Sequence, residues 1–180
     1  ALRYLKNKKI PGDYVECGVW KGGNILLLKK FLETEDLYQR NIYAYDTFEG
    51  MTKPDENDFE ISNNNFATKL LEKDKSKKTN VWGICSLEEV KKNISKHVKN
   101  LNNINFIKGP VENTLNENKN TPEKISLLRL DTDWYQSTKK ELEVLYEKVE
   151  SGGVIIIDDY GHWGGSKKAV DEFFSNKFVW

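Results

Sequence analysis

Two short apolar runs in the second half of the chain each end in a cluster of acids: Ser126-Leu127-Leu128-Arg129-Leu130-Asp131-Thr132-Asp133 and Gly153-Val154-Ile155-Ile156-Ile157-Asp158-Asp159. Runs this short, rich in leucine and β-branched residues, read as parallel strands covered on both faces. Such strands deliver Asp131, Asp133, Asp158 and Asp159 to one carboxyl edge, which is where open α/β sheets bind ligands. Four carboxylates gathered there repel one another unless a cation or a proton sits among them, so the pattern predicts a divalent metal site with oxygen ligands. Asp133 and Asp159 also suit the plainer role of capping the turn or helix after each strand, and that reading stays open.

The same grammar extends through the chain. Strand-like runs recur at 14–20, 41–48, 103–109, 126–131 and 154–158, each separated by room for a helix. Between the first two, Ile25, Leu28, Phe31 and Leu32 mark an amphipathic helix over 24–35. Ser86 and Glu89 form a capping box for a second helix with Leu87, Val90, Ile94 and Val98 on its apolar face. Ser137 or Thr138 caps a third, with Leu142, Leu145 and Val149 inward and Ser151-Gly152-Gly153 as its C-cap, and Ala169, Val170, Phe173 and Phe174 mark a last one. At 180 residues this is a single α/β domain over 1–180. One stretch breaks the rhythm of short connections: 50–83 is polar, mixed and directly follows the second strand, so it reads as a lid or substrate-contacting insertion at the ligand edge.

Composition narrows the partners. Twenty-eight basic and 28 acidic residues cancel, and no sustained basic stripe points to nucleic acid. Cys17 and Cys85 give no disulfide framework and fit a reducing, cytoplasmic setting. No apolar run approaches the ~20 residues that span a membrane, and the first residues lack the apolar core of a signal peptide. The expected ligand is therefore a small molecule, with the oligomeric state, a homo-oligomer included, left open. The chain stops at Phe178-Val179-Trp180, where a further strand is expected to begin, which reads as a fragment.

The first strand leads into its helix through Glu16-Cys17-Gly18-Val19-Trp20-Lys21-Gly22-Gly23-Asn24. Glycines at such a turn let backbone approach a ligand and leave helix N–H groups to meet its negative part. The spacing is not that of dinucleotide binders. Glu16 takes the place of a glycine, a poor neighbour for a pyrophosphate and a suitable one for an ammonium or sulfonium. Asp46 ends the second strand, where an acid accepts from both hydroxyls of a ribose.

At this point the residues resemble a family. Val15-Glu16-Cys17-Gly18-Val19-Trp20-Lys21-Gly22-Gly23, Tyr45-Asp46-Thr47-Phe48-Glu49-Gly50-Met51, Leu128 to Thr138 and Ile156-Ile157-Asp158-Asp159-Tyr160-Gly161 occur in the order of the macrocin O-methyltransferase-like enzymes, metal- and S-adenosylmethionine-dependent sugar O-methyltransferases. The resemblance implies a Rossmann-like class I methyltransferase fold, a three-layer sandwich around a mostly parallel sheet. It implies S-adenosylmethionine held by the turn of Glu16, Gly18, Val19, Gly22, Gly23 and Asn24 and by Asp46, with Thr47 beside it. It implies Mg²⁺, or another divalent cation, held by Asp131, Asp158 and Asp159, and a hydroxylated sugar as acceptor. Family members carry an N-terminal covering segment and end in an antiparallel hairpin, and both are expected to be absent or cut short here.

An alcohol is a weak nucleophile at neutral pH, and a cation held by carboxylates acidifies it and fixes it in line with the methyl group. Asp131 is the expected proton acceptor, with Asp133 and His162 as the other candidates. Trp134 and Phe48 stand where a flat side chain packs against adenine, or simply in the core, and Trp163 is placed to touch a sugar ring. Two rivals stay open: a magnesium-dependent phosphohydrolase using Asp131-x-Asp133 and the later acid pair, and a binding domain that keeps the cofactor fold without turnover.

Overall fold

The computed structural model describes residues 1–74, 76–77, 82–117 and 120–175. Five strands form one parallel sheet: β1 (Asp13–Cys17), β2 (Ile42–Asp46), β3 (Ile104–Lys108), β4 (Ile125–Leu130) and β5 (Val149–Ile157), in the order β3-β2-β1-β4-β5. The helices are α1 (Leu2–Asn7), α2 (Gly23–Thr34), α3 (Ala67–Lys73), α4 (Leu87–Ser95), α5 (Val111–Thr114), α6 (Tyr135–Leu145) and α7 (Gly164–Phe174). Alternation along the strands sorts side chains onto two faces. Tyr14, Ala44 and Leu127 meet Ile25, Leu28 and Leu32 of α2 and Val90 and Ile94 of α4. Val15, Tyr45, Leu128 and Leu130 meet Val111 of α5, Leu142 and Leu145 of α6 and Val170 of α7. The result is the three-layer α/β sandwich expected from the sequence. A side chain as enclosed as Leu128 or Leu142 contributes about 2–5 kcal/mol relative to alanine.

Strand order reverses between β1 and β4, and this switch point makes the crevice. Register levels it: Cys17 pairs with Tyr45 and Leu130, and Leu130 with Ile157. Consequently Gly18, Asp46, Asp131 and Asp158 leave the sheet side by side.

Two local expectations need correction. Helix α6 begins at Tyr135, so Ser137 and Thr138 lie buried inside it instead of capping it. Ser137 Oγ bonds back to the Trp134 carbonyl at 3.0 Å, and the Tyr135 N–H is met at 2.8 Å by Oδ1 of Asp58, from the insertion. Ser151-Gly152-Gly153 is no C-cap. It lies within β5, opposite the register shift between Ile125 and Leu127, and Gly152 takes φ +80°, a left-handed backbone that favours glycine. The Ser86 cap forms as expected, accepting from the Glu89 N–H at 3.2 Å.

The described part of 50–83 is packed. Ala67, Leu71, Trp134 and Trp163 form a third apolar cluster, with Met51, Leu70 and Trp82 against it. The strand expected at Phe178–Trp180 and the hairpin question lie outside the described residues.

Candidate active site

A cavity of about 420 Å³ opens at the carboxyl edge, a size suited to a small organic ligand. Gly18, Trp20, Asp46 and Thr47 line its β1–β2 side, Asp131, Asp133, Asp159 and His162 its β4–β5 side. Met51, Glu60 and Leu70 of the insertion, with Trp163, complete the wall.

The acids are assembled by backbone. The Asp131 N–H continues the ladder to the Cys17 carbonyl at 2.9 Å, so its side chain leaves on the α2 side, as Glu16 and Arg129 do. Two residues on, Asp133 adopts φ +69°, a conformation aspartate tolerates better than most residues, and turns back over the strand end. Its N–H donates to Asp159 Oδ2 at 3.1 Å. Asp131, Asp133 and Asp159 thereby bring one oxygen each within 4.8 Å of one another. Burial is the main force raising the pKa of all three, and their mutual repulsion raises Asp131 and Asp133 further.

Asp158 is placed differently from the predicted ligand set. It leaves β5 into a 3-10 turn, its side chain is half exposed, and its Oδ1 forms an ion pair with Arg129 Nη2 at 2.9 Å. Arg129 Nη1 also donates to Asp131 Oδ2 at 2.6 Å and to Glu16 Oε1 at 2.8 Å. This arginine is the internal counter-ion of the edge. Its signal in the sequence is spacing: two residues before Asp131, it shares that residue's face of the strand.

Glu16 is enclosed, 1 % exposed, and lies off the cavity wall. Burial raises its pKa to about 7 against the pull of Arg129, and Asn24 Nδ2 donates to Oε1 at 2.9 Å. Gly18 is indispensable at φ +87°, because a Cβ there would overlap the Asp131 carbonyl. Val19 is buried. Gly22 and Gly23 open α2 on a separate shallow hollow with Lys21 and Asn93. Asp46 Oδ2 accepts from the Val19 and Trp20 N–H groups at 2.7 and 2.9 Å, and Oδ1 from Phe48 N–H at 2.6 Å, while the Thr47 hydroxyl donates to the Gly50 carbonyl at 2.6 Å. For Asp46 to accept from ribose hydroxyls, it must share or exchange these bonds.

Phe48 and Trp134 are core residues. Phe48 packs edge-on against Phe106, and Trp134 against Trp163, its Nε1 donating to the Thr52 carbonyl at 3.1 Å. His162 is exposed over more than half its side chain, with Nε2 4.0 Å from Glu60 Oε1. Two buried acids escaped the sequence reading. Glu141 of α6 accepts from Thr132 Oγ1 at 2.9 Å beneath the acids, and burial drives its pKa well up. Asp58 sits in a polar segment with no local pattern to mark it.

The donor set itself, three carboxylates within one coordination sphere's reach, suits a hard divalent cation. The cavity beside it, bordered by Asp46 at the end of β2 and Asp131 after β4, has room for a small organic ligand.

A model of the macrocin-O-methyltransferase (TylF) family matches residues 1–179. Demethyldecarbamoylnovobiocin O-methyltransferase of Streptomyces niveus is 32% identical over 165 residues, 91% of this chain and 58% of that protein. Mycinamicin III 3''-O-methyltransferase of Micromonospora griseorubida is 28% identical over 158 residues, 84% of this chain and 56% of the other. The chain thus spans a little over half the length of these curated relatives. Among solved structures, the O-methyltransferase NovP superposes with a TM-score of 0.81 at 31% identity, over 97% of this chain and 67% of its own. A calicheamicin methyltransferase at 19% identity, with a TM-score of 0.66 over 95% and 68% of the two chains, adds likeness of fold alone.

Proposed function

The chain belongs to the macrocin O-methyltransferase family, and on that premise we propose that it methylates a hydroxyl of a sugar or glycosylated small molecule, using S-adenosylmethionine and a divalent cation, Mg²⁺ foremost. The observation that carries this reading is the convergence of Asp131, Asp133 and Asp159 on one wall of a cavity whose opposite wall holds Gly18 and Asp46. A further curated relative, from Streptomyces olivaceus, is named for 4'-O-methylation of a rhamnosyl-tetracenomycin, which supports a sugar-bearing acceptor. Balanced charge supports a small-molecule partner over nucleic acid, and two free, buried thiols support a reducing, cytoplasmic setting. Among the described residues no helix is long and apolar enough to cross a membrane.

In this mechanism Asp131, Asp133 and Asp159 would hold the cation, while Gly18, Asp46 and Thr47 would border the cofactor. Bound, the cofactor supplies an electrophilic methyl group and the cation acidifies the acceptor hydroxyl. The remaining work belongs to the chain. Arg129 anchors one oxygen of Asp131 and neutralises part of the edge, which opposes the upward push of burial on that carboxylate. Asp133 has no cationic partner among its described contacts and donates its N–H to Asp159, so it, free of the arginine that holds Asp131, is our candidate for the base. His162, on the rim, can relay the proton outward. Met51, Leu70 and Trp163 exclude water from the acceptor side.

Purified protein incubated with S-adenosylmethionine and a panel of free sugars, nucleotide sugars and glycosylated aromatics, with and without Mg²⁺, tests the reading by mass spectrometry. A mass gain of one methyl group that chelation removes supports it. Methylation that survives exhaustive chelation refutes the cation's part, and phosphate release from phosphorylated sugars with no methylation refutes the class.

A further inference from the structure

The insertion meets the body of the molecule at one close-fitting joint. Asp58 is fully buried, and each of its polar groups is used. Oδ1 accepts from the Tyr135 N–H and Oδ2 from the Asp55 N–H, both at 2.8 Å, and its carbonyl accepts from the Ala67 N–H at 2.9 Å. One residue thus ties the turn at 55–58, the start of α3 and the start of α6, two positions after Asp133.

The other half of the joint is Gly164-Gly165, which opens α7 directly after the loop bearing Asp159 and His162. A Cβ on Gly165 would overlap Asp58 Oδ1, and one on Gly164 would overlap the Phe59 ring. These glycines are a socket. Beside it, the Gly164 N–H donates to the Phe59 carbonyl at 2.8 Å and the Ile61 N–H to the His162 carbonyl at 2.9 Å, around an antiparallel bridge of Glu60 with Trp163. The 159–163 segment is therefore held on one side by the bond between Asp159 and Asp133, and on the other by the insertion's backbone.

We propose that Asp58 seated on Gly165 is a latch that positions Asp159 and His162, so that the insertion is a fixed wall whose docking sets the affinity of the site for a divalent cation. Asp58 and Gly165 are positioning residues and touch neither cation nor substrate. The inference rests on the cation reading above. By reciprocity, whatever the docked insertion adds to cation affinity, the cation must return to docking.

Mn²⁺ titrated by calorimetry is the probe, applied to the wild type, Asp58→Ala, Gly165→Ala and the double variant. Each single variant should weaken Mn²⁺ binding roughly tenfold, the lower end of what lost outer supports of metal ligands cost. The double variant should lose clearly less than the two single losses combined, because removing the carboxylate removes the closest atom the new Cβ strikes and leaves only its contact with the Tyr135 nitrogen. S-adenosylmethionine affinity, read separately, should stay within about twofold, since Gly18 and Asp46 lie off the joint. Additive losses in the double variant, or wild-type Mn²⁺ affinity in both singles, would overturn the latch.

Should the variants not fold, the wild type alone decides by hydrogen exchange. Saturating Mn²⁺ should slow exchange at the Ile61, Gly164 and Tyr135 amides, and unchanged rates there would overturn the proposal. A wild type that binds no divalent cation at all refutes the cation reading itself, a failure distinct from a wild type that binds while its variants bind equally well.

Discussion

Asp46 and Asp159 stand at the same edge of one sheet, yet they solve the problem of a strand-end carboxylate in opposite ways. The carboxylate of Asp46 accepts from three backbone N–H groups. Asp159 accepts one backbone N–H and otherwise faces Asp131 and Asp133 within 4.8 Å. A carboxylate supplied with donors shapes a turn; one supplied with other carboxylates calls for a proton or a cation. The β1–β2 side of the cavity is thus satisfied by its own chain, whereas on the β4–β5 side Arg129 meets Asp131 and Asp158 and the proposed cation would complete the rest.

The largest effect expected from this contrast is at Asp159. Asp159→Asn should abolish cation-dependent methyl transfer and Mg²⁺ binding by calorimetry. In chelator the same variant should melt higher than wild type, because a buried like charge is gone. A lower melting temperature in scanning calorimetry would mean that Asp159, like Asp46, is a satisfied acid, and the contrast would collapse.

Within the acidic half the carboxylates are unequal. Asp133→Asn should cost the ~10²–10⁴-fold in turnover typical of a lost general base, whereas His162→Ala should cost less than about tenfold. Reversed magnitudes in steady-state kinetics would move the base to His162, and an Asp131→Asn variant more damaged in turnover than in Mg²⁺ affinity would return it to Asp131.

Much of this architecture is legible in the sequence. Apolar runs ending in acids are unambiguous when strands are buried on both faces, so the sheet and the acidic edge follow from pattern alone. The pattern lacks the direction a side chain takes once the strand has ended. Asp158 and Asp159 are consecutive, and only the 3-10 turn decides that the first meets Arg129 while the second faces Asp133. The cap of α6 is invisible for another reason. Ser137 and Thr138 fit the local template, but the acceptor comes from Asp58, 77 residues earlier. Trp134 reads toward adenine because it comes directly after the acids; the insertion it packs under has no periodicity to reveal a core.

On the satisfied side the effects are smaller. Asp46→Ala leaves the Val19, Trp20 and Phe48 N–H groups without their acceptor, and should lower stability and S-adenosylmethionine affinity by about 1–3 kcal/mol each. Mg²⁺ affinity should hardly change. An equal loss at the cation site would show that the two halves are one network.

Asp58 is the case that tests where the boundary between the two kinds of acid lies, since it is buried like Asp159 yet bonded to backbone like Asp46. Its two oxygens accept from Asp55 and Tyr135, but burial outweighs them and lifts its pKa to about 6. The folded value stands above that of a free aspartate, so ionisation opposes folding. Its contribution is fully present below about pH 4 and is lost as pH rises through about 6. Asp58→Asn lacks that dependence. In urea unfolding at pH 4, 5, 6 and 7, the stability advantage of wild type over Asp58→Asn should therefore shrink with rising pH, by about 1–2 kcal/mol in all. An advantage that stays constant or grows would mean that two backbone donors fully offset burial. In that event donor count alone, and not depth, separates the acids that hold this fold from those that need a cation.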